Sequence, residues 1–144
     1  MLSVYEYLFY RFWKWSERTD GKGANTKFFA CCSLTLVSML NGAAIFLAFG
    51  LLAHTRLPDI PPDIGPELFG VIMSVALFAI HYGYFSIHHR YQRVLKKYGV
   101  ESADAERRGF VWTGVYIVFS LFLLVALGIG GVYLRTQVYP AAVR

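Results

Sequence analysis

The fold class this chain predicts is an all-α membrane protein, three transmembrane helices plus an N-terminal amphipathic interfacial helix, and three observations predict it. The 144 residues are 56 % hydrophobic and 17 % aromatic, more apolar material than a soluble domain of this length can hide. The charges are segregated, leaving uncharged runs at 28–55, 68–89 and 109–134, each reaching the ~20 residues a helix needs to cross ~30 Å of hydrocarbon. Lysine and arginine collect on alternate sides of those runs. Backbone groups in lipid must be bonded within the segment, so helix is expected, and the strict alternation of barrel strands is missing.

The chain has the length of one domain. Its expected layout is a single membrane domain over 1–144, with an interfacial helix at 1–18 and spans at 28–54, 67–89 and 109–134. The second span should carry a cytoplasmic extension to residue 98. In the opening stretch MLSVYEYLFYRFWKWSE, the residues Tyr5, Leu8, Phe9, Phe12 and Trp13 recur at helical spacing, while Arg11, Lys14 and Arg18 gather on another flank. That pattern suits a helix in the headgroup region, with aromatics inward, cations toward phosphate, and Trp13 and Trp15 as interface markers. It equally suits an elbow packed on the other helices. TDGKGANT at 19–26 reads as a polar hinge.

The first span is expected to be retained. As a signal peptide it would have too long an n-region and apolar run, and Ala48-Phe49-Gly50 makes a poor cleavage site. Between spans one and two, RLPDIPPDIGPE holds Pro58, Pro61, Pro62 and Pro66, which favour extended backbone and a short external spacer. Pro66 suits the first turn of span two. Ile87, Tyr91, Val94, Leu95 and Tyr98 then continue the helical spacing, predicting one unbroken helix from about Pro66 to Tyr98 that projects into the cytoplasm and stops at Gly99. Ser102 or Asp104 can cap the next helix, with Glu106 in its first turn.

Orientation follows from counting. Residues 1–27 hold Arg11, Lys14, Arg18, Lys22 and Lys27, and the connection after span two holds Arg90, Arg93, Lys96, Lys97, Arg107 and Arg108. Only Arg56, Arg135 and Arg144 fall on the other side, so eleven basic residues face three. The N-terminus is expected in the cytoplasm and the C-terminus in the periplasm of a bacterial inner membrane. The net charge of +5 is absorbed by this pattern, so no nucleic-acid partner is expected. The bilayer is the expected partner, with a membrane protein or a second copy beside it.

Buried polar residues are where function would show. Asn41 sits near the middle of span one and His81 in the cytoplasmic half of span two. No acidic or basic residue falls in a span core, which argues against a proton-coupled carrier built on a membrane carboxylate. No span has an interior proline, so the broken helices of many transporters lack their usual marker. Asn41 reads as an interhelical hydrogen-bond donor. His81 and His88 share a helix face, but the only histidine on another helix is His54, at the opposite end of span one, so the depths do not suit a haem. His88 and His89, beside Arg90, read as markers of the cytoplasmic interface. The adjacent Cys31 and Cys32 offer no loop-closing disulfide and read as buried thiols or acylation sites. Small residues such as Ala126 and Gly130 in span three allow close helix approach. No catalytic, cofactor or metal residue is expected.

The segments from Tyr7 to Trp15 (YLFYRFWKW), Leu40-Asn41, Tyr84 to Tyr91 (YFSIHHRY), Lys96 to Gly99 (KKYG) and the basic turn into span three resemble a group of small bacterial membrane proteins common among Bacteroidetes. The resemblance covers most of the chain. It implies a three-helix inner-membrane protein and carries no activity with it. The function expected is a non-enzymatic accessory or self-associating membrane subunit. The alternatives are an oligomeric pore or holin-like permeabilising protein, and an enzyme or haem/quinone anchor using His81 or His88.

Overall fold

The computed structural model describes residues 2–21, 25–52 and 65–138. The proline-rich connection at 53–64, His54 with it, and residues 139–144 lie outside the described residues. The described elements are α1 (Leu2–Asp20), α2 (Thr26–Leu52), α3 (Pro66–Ser86), a 3-10 turn (Ile87–His89), α4 (Arg90–Tyr98) and α5 (Ala103–Val138). Three helices are long and apolar enough to cross a membrane, those of the three uncharged runs.

Local chemistry sets the ends. Gly21 closes α1 at φ +80°, the left-handed conformation that a residue without Cβ reaches freely. Gly99 donates its N–H to the Leu95 carbonyl at 2.8 Å and ends α4. A Cβ at Gly99 would stand 2.5 Å from that same oxygen, so glycine is required there by close approach. Ser102 caps α5, its Oγ accepting the Ala105 N–H at 3.3 Å, and Asp104 and Glu106 in the first turn complement the helix dipole.

The bundle is built around α2, on which α1, α3 and α5 all pack. Helix α3 runs antiparallel to it, setting His81 against Thr35 and Ser74 against Met39. Helix α5 runs parallel to it, setting Tyr116 against Asn41 and Gly131 against Leu51. Helix α1 returns antiparallel along α2, bringing Tyr5 to Ser38.

The expected unbroken helix to Tyr98 is corrected by the structure. His88 and His89 both take φ 52°, and the chain turns so that α4 folds back along α1. Trp13 stacks on Tyr91 at 5.8 Å, Tyr98 meets Tyr7 and Tyr10 at 5.4 and 5.7 Å, and Lys97 pairs with Glu6 at 3.1 Å. Left-handed backbone costs a non-glycine residue about 1–2 kcal/mol. Three aromatic pairs at about 0.5–1.5 kcal/mol each, with the burial of Val94, offset that strain. The remaining α3 still has 21 residues, enough for ~30 Å of hydrocarbon.

Two layers result. In the first, which we call the cap, α1 and α4 close over the start of α2, the end of α3 and the start of α5. Most of the buried side chains among the described residues lie there, including Phe9, Tyr10, Phe12, Leu34, Phe85 and Val94. In the second, α2, α3 and α5 continue as an open apolar bundle. Leu36, Ile45, Phe49, Val75, Ile80, Val118, Phe122 and Val132 are all more than half exposed there. Water does not tolerate so continuous an apolar surface; hydrocarbon does.

Candidate functional site

The cap is where the sequence brings distant polar and aromatic side chains together. Its centre is Arg11, only 2 % exposed, on the α1 face that looks toward the start of α5. The guanidinium donates to Glu101 at 2.5 Å, to the Tyr7 hydroxyl, and to the Glu106 and Ala105 carbonyls at 3.3 and 3.4 Å. It also lies over the Tyr7 and Tyr10 rings, 4.5 and 5.3 Å from their centroids. Nε alone among its nitrogens has no partner. Room for this group comes from Gly109, where a Cβ would run into Arg11 and Tyr7. Arg18 adds a second tie to Glu106 at 2.9 Å. Because a buried cation is costly unless paired and fully bonded, Glu101 and the ring faces are what make the position tenable.

His81 lies at the boundary between the two layers. Thr35 Oγ1 donates to the Cys31 carbonyl at 2.8 Å, which uses its one proton, and it stands 2.8 Å from His81 Nδ1. The ring therefore donates from Nδ1 to Thr35, and Nε2 accepts the Tyr5 hydroxyl. Tyr5 in turn lies 3.5 Å from Ser38 Oγ. This chain pins α1 to α2 and α3 at one depth. With both ring nitrogens engaged, His81 would have to break a bond to ligate anything.

Beneath it, Phe9 and Phe85, both fully buried, stack at 3.8 Å. Lys27 donates to Ser86 at 3.2 Å and sits over the Tyr82 and Tyr91 rings at 4.3 and 5.3 Å.

The residues singled out from sequence thus divide. His81 and Trp13 belong to the cap's packed interior or its margin, whereas Trp15 is half exposed. His88 and His89 form the turn, with their side chains exposed, and Arg90 opens α4 with its guanidinium 4.3 Å over Tyr84. Asn41 lies apart in the apolar layer, its Nδ2 donating to Tyr116 on α5. Cys31 is buried and Cys32 half-buried, both free. Among the described residues no three His, Cys, Asp or Glu side chains come close enough to hold a metal ion.

Sequence reasoning placed Tyr5 and Tyr98 only on helix faces and missed the Tyr5–His81–Thr35 chain, the Tyr98 contacts with Tyr7 and Tyr10, and the Arg11–Glu101 pair. The signal for the pair was an arginine amid aromatics and an acid in the connection before α5, with nothing local to join them.

Comparison with protein-family models, with curated proteins and with solved structures gave no match.

Proposed function

We propose that this chain is a small non-enzymatic subunit of a bacterial inner membrane that acts by association, with a second copy or with a membrane partner. The cap lies on the cytoplasmic side among the lipid headgroups, with α1 as its interfacial helix, and the C-terminus is periplasmic. The orientation is supported by eleven basic residues on the cap side against three on the other.

The observation that carries the reading is the contrast between the layers. The cap is tightly packed, while α3 and α5 flank α2 and leave its apolar surface open. The Asn41–Tyr116 pair sits on that open surface, with Tyr116 37 % exposed. One donated bond uses neither the Asn41 carbonyl oxygen nor the Tyr116 proton. Hydrocarbon satisfies neither, so an adjacent helix that does is favoured.

Light scattering of the full chain in mild detergent tests this. More than one copy, or a stoichiometric membrane partner, is expected; a bare monomer without a partner refutes association. A periplasm-dependent reporter fused after Arg144 is expected to be active, and a cytosol-active one overturns the orientation.

A further inference from the structure

The turn at His88-His89 does more than shorten α3. It folds α4 back so that Arg90, Arg93, Val94 and Lys97, at helical positions i, i+3, i+4 and i+7, face Tyr84 of α3 and Glu6 of α1 across a groove of about 340 Å³. Three cations thus line one concavity against a single carboxylate. Lys97 is held by Glu6 at 3.1 Å, whereas Arg90 and Arg93 have no carboxylate partner among the described residues. Two consecutive residues are strained to hold this arrangement, and strain of that kind persists where the surroundings require it.

The depth of the groove narrows what could fill it. On α5 the charges end at Arg108, about two turns before Tyr116, and after α3 they resume at Arg90. Tyr84 stands two residues before the end of α3 at Ser86. The groove therefore sits where the apolar span gives way to basic residues, and on the membrane reading that is the headgroup layer, about 5–8 Å thick on each face.

We propose that the groove formed by Tyr84, Arg90, Arg93, Lys97 and Glu6 binds the phosphate of an anionic phospholipid headgroup. Arg90 and Arg93 grip the phosphoryl oxygens, for which the planar guanidinium is suited. Tyr84 backs Arg90, and Glu6 sets the charge balance and disfavours a second negative group. The inference rests on the membrane reading above, but needs no association between copies.

Native mass spectrometry of the full chain in mild detergent, titrated with phosphatidylglycerol and with phosphatidylcholine, tests it. The unaltered protein is expected to retain phosphatidylglycerol about tenfold more tightly, and R90Q/R93Q to lose that preference. R107Q/R108Q removes the same charge from exposed positions on α5 and is expected to keep it. E6Q is expected to tighten phosphatidylglycerol binding about threefold, a gain that misfolding cannot imitate. Absence of any preference in the unaltered protein overturns the proposal, as does an equal loss in both arginine pairs. Displacement of the lipid by an equal concentration of inorganic phosphate overturns the assignment to a lipid. The same spectra count copies, so a monomer that keeps the preference supports the groove while refuting association.

Discussion

Replacing Arg11 by methionine tests the centre of the cap. Methionine keeps the length of the side chain and its apolar stem but removes every donor. Glu101, the Tyr7 hydroxyl and the Ala105 and Glu106 carbonyls all lose a bond. Breaking a buried ion pair from one side costs about 3–5 kcal/mol. The Glu101 side chain is 21 % exposed, so water reaches it and the lower end applies, about 3 kcal/mol. At 2–4 °C per kcal/mol that is a fall in melting temperature of about 6–12 °C. Glu101→Gln should cost less, about 1 kcal/mol, because Arg11 keeps its other acceptors and gains an amide oxygen. In the Glu101→Gln background, Arg11→Met should then cost less than it does alone, the difference being the coupling of the pair. Thermal unfolding of the four proteins in one detergent measures all of this. An Arg11→Met protein melting within about 2 °C of the parent, where a 3 kcal/mol loss is expected, would refute the account. So would an equal loss in both backgrounds.

Three further outcomes follow from the same geometry. Gly109→Ala should destabilise by about 1–3 kcal/mol, because its Cβ meets Arg11 and Tyr7. Gly114→Ala, with nothing within 4 Å, should stabilise by up to about 1 kcal/mol, and the same melting assay separates them. His88→Gly should be neutral or slightly stabilising, whereas His88→Val should cost about 2 kcal/mol, because a β-branched side chain resists positive φ. Limited proteolysis at the α3–α4 turn would show the difference. The Tyr10 phenol is pushed above its ordinary value of 10.0, first by burial and then by the carboxylates of Glu101 and Glu106. Its folded value exceeds its unfolded one, so the stabilisation is fully present below pH 10 and fades as pH rises past it. Tyr10→Phe should flatten the alkaline fall in melting temperature, and an unchanged slope would refute that assignment.

The three spans were legible because each is written as a long run without charge. Expected at 28–54, 67–89 and 109–134, they fall within or close to α2, α3 and α5. The Ser102 cap was legible for an equally local reason. What could not be read was which protein surfaces α1 touches. An arginine among tyrosines looks the same whether it reaches for lipid phosphate or for Glu101, 90 residues away. Periodicity also concealed the break at His88-His89, because α4 repeats its apolar positions in phase with α3 and neither glycine nor proline marks the turn. The one hint was residue type, since histidine tolerates the left-handed region better than most.

The pairing of Arg11 with Glu101 imposes an order on synthesis. Arg11 is made early, yet its partner Glu101 is not made until the start of the third span, 90 residues later. At about 5–20 residues per second that interval is on the order of ten seconds. Through it the arginine must be held by water, phosphate or a chaperone. The clasp at the membrane face is therefore among the last contacts to close, and it closes only on a chain whose first two spans are already laid down.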